Sequence, residues 1–262
     1  MSDALSAFTE STFTHEGLDR QVFRAGGGPA VIVIHEVPGI TPAVAAFAQR
    51  LVDRGFSVRM PSLFGTPGQK MSAGYVIRSL TRACVASEFA ALALDRTSPI
   101  IGWLRALAAE AHAECGGPGV GAVGMCFTGG FALGMMVDER MLAPVLSQPS
   151  APFPIGKKRK AALGVSDDDL EKVKRRGAQG ACVLGLRFTK DLAVPAERFE
   201  TLHRELGDAF IAVEIDSSRG NPNGISRFAH SVLTEHLVDT PGHPTRAALD
   251  RVLAFLEERL RA

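Results

Sequence analysis

Short apolar runs alternate along the chain with longer segments whose apolar residues recur at helical spacing. The run 30–34, AVIVI, is continuous and mostly β-branched, which is typical of a strand covered on both faces. The opening segment 11–24 predicts a hairpin that turns at Glu16-Gly17. The further predicted strands are 56–60, 120–125, 142–146, 182–188 and 209–215.

The segments between these runs have the marks of helices. Thr41 precedes a proline and an apolar face at helical spacing, which predicts an N-cap. Prolines at 99, 195 and 244 stand at the start of three further predicted helices, and a weaker pattern predicts a helix over 73–94. Because strands alternate with helices, we predict an α/β fold with a mostly parallel sheet and helices on both faces.

The segment 149–180 interrupts this alternation. Its prolines are followed by the basic run 157–160 and by an acidic-then-basic stretch at 166–176. Ser166 and Asp169 have the spacing of a capping box, and the order of charges suits a helix dipole. We interpret the segment as a surface insertion or flap that carries a solvated helix, within a single domain spanning 1–262.

Composition and charge narrow the class of protein. The 262 residues are 46% hydrophobic and 22% charged, with a net charge of +1, which is ordinary for a soluble globular protein. This charge gives no reason to expect a nucleic-acid partner. The sequence predicts neither an export signal nor a membrane span. The four cysteines show no Cys-x-x-Cys pair, so we expect a reduced cytoplasmic protein with no metal and no cofactor.

The stretch 120–130, VGAVGMCFTGG, carries the strongest chemical signal. It predicts a strand, a sharp turn and a helix, with Cys126 at the turn as a nucleophile. Gly124 and the glycines that follow let the helix lie close to the sheet, and the helix start favours a negatively charged sulfur. Thr128 stands where the nucleophile-elbow pattern has a glycine. A cysteine after an apolar strand is otherwise a small buried hydrophobic residue, so this interpretation depends on its partners.

Candidate acid and base residues follow later strands, at the edge of the sheet where reactive groups gather. Asp191 follows one predicted strand and His230 lies in the loop after the last one, so nucleophile, acid and histidine come in the chain order of α/β-hydrolases. We expect His230 to accept the thiol proton and Asp191 to hold the other ring nitrogen. The backbone N–H groups of Phe127 and Val37 are expected to bind an oxyanion.

Other residues compete for these roles. Asp216 also follows a strand and is the alternative acid, while His236 and His243 are the alternative bases. His243 stands beside a proline at a helix start, where it could simply pack or cap. Glu36 ends the first buried strand, and His35 faces the opposite way if the strand alternation continues.

Four stretches together resemble the dienelactone hydrolase family, cysteine hydrolases with the α/β-hydrolase fold. They read VIVIHEVPG at 31–39, GMCFTGG at 124–130, DLAVP at 191–195 and AHS at 229–231, in the family's order. The resemblance implies a triad of Cys126, His230 and Asp191. It also implies that Glu36 contacts the resting thiol until substrate displaces it, because a nearby carboxylate disfavours a second negative charge.

From this resemblance we expect an enzyme that opens a small-molecule lactone or ester through a thioester acyl-enzyme, without a cofactor. The family's arginines for a substrate carboxylate are not placed by the local pattern, although Arg78 and Arg82 lie in the corresponding region. Two alternatives stay open: a non-catalytic family member that binds a ligand, and a redox-sensing thiol at Cys126.

Overall fold

A mixed sheet lies at the centre of the protein in a computed structural model, which describes residues 3–85, 89, 97–150 and 154–261. Within these residues its eight strands are β1 (Thr9–His15), β2 (Leu18–Ala25), β3 (Ala30–Ile34), β4 (Ser57–Pro61), β5 (Val120–Met125), β6 (Met141–Ser147), β7 (Val183–Phe188) and β8 (Phe210–Ile215). Their order is β1-β2-β4-β3-β5-β6-β7-β8, antiparallel from β1 to β4 and parallel from there on. The predicted strands are confirmed, with ends that differ by one or two residues.

Helices connect these strands. In the described part of the chain they are α1 (Pro42–Asp53), α2 (Ala73–Val85), α3 (Ile100–Cys115), α4 (Gly129–Met135), α5 (Lys157–Ala161), α6 (Asp167–Ala178), α7 (Ala196–Leu206) and α8 (Pro244–Leu260). No described helix combines the length and the apolar character needed to cross a membrane. Thr41 caps α1 as predicted, since its hydroxyl accepts the N–H of Val44 at 3.3 Å. The helix predicted over 73–94 begins correctly, and most of its part beyond Val85 lies outside the described residues.

Both faces of the sheet are covered by helices, as the sequence predicts. The residues of β3 are fully buried, and their side chains alternate between two apolar layers. Val31 packs in the layer of α1 and α8, whereas Ile32 packs in the opposite layer with α3, α4 and α7. A strand without a solvent-exposed face needs apolar residues at every position, which is why its sequence does not alternate.

The described residues of the segment 149–180 belong to the crossover between β6 and β7. Ser166 caps α6 as predicted, because its hydroxyl accepts the N–H of Asp169 at 3.3 Å. The Asp169 carboxylate instead accepts hydrogen bonds from Thr97 at 2.6 Å and from Arg105 at 3.3 Å. The expectation of a solvated helix is wrong for one face of α6, since Val173 is buried in the core. A role as a flap stays a prediction.

Arg176 attaches the same helix to the chain between α4 and β6. Its guanidinium donates four hydrogen bonds of 2.5–3.0 Å to backbone carbonyl groups, those of Met136, Asp138, Glu139 and Met141. One charged side chain thus joins α6 to the chain between the end of α4 and the start of β6, although the carbonyl group of Asp138 also accepts the N–H of Met141 at 3.0 Å.

The hairpin of β1 and β2 is held by the single tryptophan of the chain. Trp103 on α3 is 3% exposed, and its indole N–H donates to the carbonyl oxygen of Leu18 at 2.9 Å. Its ring meets the ring of Phe13 edge to face, with 5.1 Å between the centroids. The hairpin joins the sheet through β2, and these contacts give it a second attachment.

Replacing Arg176 by methionine should lower the free energy of unfolding by about 2 kcal/mol, because hydrogen bonds from a charged donor to backbone carbonyl groups are lost. Chemical denaturation measures this change. Arg175→Met is the matched control, since Arg175 is the neighbouring arginine and is exposed. Equal effects of the two substitutions would contradict the role assigned to Arg176.

Candidate active site

Cys126 lies at the sharp turn between β5 and α4, as predicted. Its φ is +56°, in the left-handed region that costs a non-glycine residue about 1–3 kcal/mol. Gly124 and Gly129 permit this turn because neither has room for a side chain. A Cβ on Gly124 would lie 2.4 Å from the carbonyl oxygen of Thr128, and one on Gly129 would lie 2.6 Å from Cα of Pro149. The backbone therefore has the strained strand–turn–helix geometry of a nucleophile elbow.

Thr128 ties this turn to the end of β3. Its buried hydroxyl accepts the N–H of Met125 at 3.0 Å and lies 2.9 Å from the carbonyl oxygen of Ile34 and 3.2 Å from that of His35. The single hydroxyl proton is donated to one acceptor at a time. A glycine at position 128 would lack these hydrogen bonds, which is a physical reason for the departure from the elbow pattern. The small residue that the pattern requires is instead Gly129, where a side chain would meet Pro149.

Ser150 is a neighbour of the cysteine that the sequence analysis missed. Its hydroxyl oxygen lies 3.2 Å from the sulfur of Cys126, and its N–H donates to the carbonyl oxygen of Cys126 at 2.9 Å. The buried Arg198 holds the preceding residue by donating to the carbonyl oxygen of Pro149 at 2.8 Å. Ser150 comes just after β6, at the edge of the sheet where reactive groups gather, and this position is the signal that would have found it.

His230 and Asp191 come together from two loops, as the sequence predicts. Nδ1 of His230 lies 2.6 Å from Oδ2 of Asp191, whose Oδ1 accepts the N–H of Ala193 at 2.9 Å. Burial by itself lowers the pKa of His230, but the charge of Cys126 and the hydrogen bond with Asp191 raise it well above its usual value. A negative charge on the sulfur and the neighbouring carboxylate both favour the protonated form of the imidazole.

Glu36 is buried at the end of β3, and its carboxylate binds three side chains. Oε2 accepts hydrogen bonds from Ser231 Oγ at 2.6 Å and from Gln148 Nε2 at 3.1 Å, and Oε1 accepts one from the hydroxyl of Thr234. The family resemblance implies a contact between this carboxylate and the resting thiol, whereas here hydroxyl and amide donors occupy it. Burial raises the pKa of Glu36, and the two hydroxyl groups offset part of that increase.

The alternative acid and bases have other partners. Asp216 is exposed and accepts a backbone N–H two residues further on at 2.8 Å. His243 is the N-cap of α8, where its Nδ1 accepts the N–H of Thr245 at 3.3 Å. His236 lines the cavity described below, but its Nδ1 accepts the N–H of Ser231 at 3.2 Å. Asp191 and His230 are thus the acid and histidine that the fold brings together.

His35 and Glu36 have different surroundings, as the strand alternation predicts. Nε2 of His35 accepts the N–H of Leu63 at 3.0 Å, and its ring packs edge to face on Phe64. Burial lowers the pKa of His35 to about 4, so the ring is neutral at neutral pH and belongs to the core.

A cavity of about 580 Å³ opens beside Cys126. Its wall consists of Val37, Met71, Val76, Cys126, Phe127, Ser150, Pro154, Ile155, Ala193, His230, Ser231, Glu235 and His236. Val37 and Phe127, the predicted oxyanion-binding residues, therefore both face the space next to the sulfur. The N–H of Val37 has no hydrogen-bond partner among the residues that the structure describes. Over the same residues, no group of three or more His, Cys, Asp or Glu side chains could hold a metal ion.

Comparison with known proteins identifies the family. The model of the dienelactone hydrolase family matches residues 21–224, a span that includes Glu36, Cys126 and Asp191. The chain belongs to the dienelactone hydrolase family. Membership makes it a hydrolase that acts on ester bonds. A comparison with curated proteins finds no sequence match.

Solved structures confirm the α/β-hydrolase fold. A candidate dienelactone hydrolase from Klebsiella pneumoniae superposes with a TM-score of 0.65 at 17% identity, over 96% of this chain and 98% of that chain. The dienelactone hydrolase from Anabaena variabilis gives 0.59 at 18%, over 97% and 100%. A cold-adapted esterase from an Arctic intertidal metagenomic library gives 0.59 at 15%, over 97% and 95%. At these identities the likeness shows the fold.

Glu36→Gln should change how stability depends on pH. Because the native pKa of Glu36 lies above the 4.5 of an exposed glutamate, the folded chain holds this proton more tightly than the unfolded chain. Its contribution to stability is complete below pH 4.5 and is lost as the pH rises through the native pKa. The neutral variant escapes this loss, so its stability relative to the unsubstituted protein should rise with pH.

Denaturant unfolding between about pH 4 and pH 8 measures that difference. Glu200→Gln, at an exposed residue of α7, is the control and should show no such trend. If the free energy of unfolding of Glu36→Gln, relative to the unsubstituted protein, stays constant or falls as the pH rises, the expected direction is refuted.

Proposed function

We propose that this family member is a cysteine hydrolase that cleaves a carboxylic ester or lactone through a thioester acyl-enzyme. The observation that carries the proposal is Cys126 at φ +56° on the elbow, with the His230–Asp191 pair at 2.6 Å beside it. A small-molecule ester fits the cavity of about 580 Å³ that Cys126 lines.

Acylation begins when His230 takes the proton of the Cys126 thiol and the sulfur attacks the substrate carbonyl carbon. The carbonyl oxygen becomes an oxyanion, which accepts hydrogen bonds from the N–H groups of Val37 and Phe127. When the C–O bond of the ester breaks, the leaving alkoxide receives the proton from His230. A thioester remains, and in a lactone the new alcohol stays attached to the acyl group.

Deacylation repeats these steps with water. His230 removes a proton from the water molecule, whose oxygen attacks the thioester carbonyl carbon. Breaking the C–S bond releases the carboxylic acid, and the sulfur recovers its proton from the imidazolium. Asp191 keeps the imidazole oriented and stabilises its charge in both halves. The raised pKa of His230 supports this assignment, because it favours the imidazolium beside a negatively charged sulfur.

Two further residues support the chemistry. Ser150, with its hydroxyl 3.2 Å from the sulfur, donates a hydrogen bond to the sulfur once His230 has taken the thiol proton. Glu36 holds Ser231, the residue next to His230, at 2.6 Å and so positions the histidine loop. This role differs from the contact with the thiol that the family resemblance implies.

The remaining expectations from the sequence stay predictions. They are the cytoplasmic location, the lack of a nucleic-acid partner and the lack of a cofactor. The ligand-binding and redox alternatives are tested together with the hydrolase, since each predicts a different outcome of the experiment below.

Cys126→Ala should reduce hydrolysis of activated aryl and thio esters by at least about 10³-fold, because the acyl group then has no acceptor. Cys115→Ala is the control, since that half-buried thiol lies on α3 and does not line the cavity. Mass spectrometry after an acid quench should find the acyl group on Cys126.

Activity that survives in Cys126→Ala would show that the nucleophile is a different residue. If neither protein hydrolyses any ester or lactone, the ligand-binding alternative gains support. Reversible oxidation of Cys126 by peroxide without esterase activity would favour the redox alternative.

Ser150→Ala should lower kcat/KM about tenfold, the equivalent of one hydrogen bond to a charged group. It should also slow the alkylation of Cys126 by iodoacetamide at neutral pH, because the sulfur loses a donor that stabilises its negative charge. Ser150→Thr keeps the hydroxyl and should retain most of both rates. If Ser150→Ala and Ser150→Thr behave alike, the hydroxyl has no part in the reaction.

A further inference from the structure

The wall of the cavity is mainly apolar. Its side chains include those of Val37, Met71, Val76, Phe127, Pro154, Ile155 and Ala193. Water held against such a surface is released when an apolar group replaces it, so the cavity favours substrates with an apolar acyl or alcohol part.

Among the described residues that line the cavity, the charges outside the reacting groups have one sign. Glu235 lines the wall, and no lysine or arginine is among the lining residues in the part of the chain that the structure describes. Arg78 is exposed on α2 and is absent from that wall, and the side chain of Arg82 lies outside the described part. The pKa of His236 is lowered, first by burial and then by the charge of His230, so this ring is uncharged at neutral pH.

The apolar surface continues to the outside of the cavity. Ile155 and Met71 line the wall although they are 77% and 39% exposed. Single exposed apolar side chains are ordinary on a protein surface, but two that line the same cavity extend its apolar wall towards solvent and favour a substrate with an apolar part.

We propose that the substrate is an uncharged ester or lactone with an apolar acyl group, and that Glu235 selects against substrates that carry a carboxylate. This inference rests on the hydrolase proposed above. A substrate carboxylate would leave water for an apolar wall, would find no cationic partner among the described lining residues and would be repelled by Glu235. Glu235 is therefore a specificity-determining residue that acts by repulsion.

The test compares two aryl esters that differ at one end of the acyl chain. The p-nitrophenyl ester of hexanoic acid ends in a methyl group, and the mono-p-nitrophenyl ester of adipic acid ends in a carboxylate. We expect kcat/KM, corrected for spontaneous hydrolysis, to favour the hexanoate by at least about 100-fold. In Glu235→Gln the ratio of the two kcat/KM values should fall about threefold to fivefold, because the repulsion between like charges at this exposed residue is removed. Glu200→Gln, an exposed glutamate on α7 outside the cavity wall, should leave the ratio unchanged.

The outcomes separate this inference from the proposed function. Hydrolysis of the adipate at or above the rate of the hexanoate, with both activities lost in Cys126→Ala, overturns the substrate class and leaves the cysteine hydrolase in place. A preference for hexanoate that is equal in all three proteins overturns the role of Glu235. Hydrolysis that survives in Cys126→Ala, or no hydrolysis of either ester, overturns the proposed function itself.

Discussion

The hydrogen bonds around the buried carboxylate of Glu36 determine how the loops meet at the reactive end of the sheet. A carboxylate removed from water needs donors, and here they come from two different loops. Gln148 follows β6, whereas Ser231 and Thr234 belong to the chain after β8. The side-chain oxygen of Gln148 also accepts the N–H of Val232 at 3.2 Å, which joins the two loops directly. His230 is thereby held next to a network whose members satisfy one another.

The elbow depends on a second set of contacts, because a left-handed cysteine persists only where its surroundings over-determine it. Thr128 links the turn to β3, and Gly129 lets Pro149 lie against the start of α4. Arg198 fixes the carbonyl of Pro149 from a buried position, although burial lowers the pKa of its guanidinium to about 10. The strain at Cys126 is therefore balanced by contacts from three segments distant in sequence.

Local patterns predicted what depends on local sequence. Apolar runs predicted the strands, caps such as Thr41 predicted the helix starts, and the glycines around Cys126 predicted the elbow. The meeting of Asp191 with His230 also followed, because strand ends converge in a parallel sheet. The contacts of Ser150 and the donors of Glu36 could not be predicted, since they join segments whose relative positions arise only from packing. The buried face of α6 was not predicted for a different reason, because its apolar residues Leu170 and Val173 lie among many charges.

The position of Trp103 gives the protein an internal optical probe of its sheet edge. Trp103 is the single tryptophan, and its indole N–H is hydrogen-bonded to the carbonyl oxygen of Leu18. Its fluorescence therefore responds to water that reaches the junction between α3 and the hairpin of β1 and β2. The reactive cleft lies at other strands, so emission and turnover report on separate regions. A mild denaturant that shifts the emission before turnover falls would reveal an opening of the hairpin that precedes global unfolding. Simultaneous changes would mean that hairpin and cleft unfold as one cooperative unit.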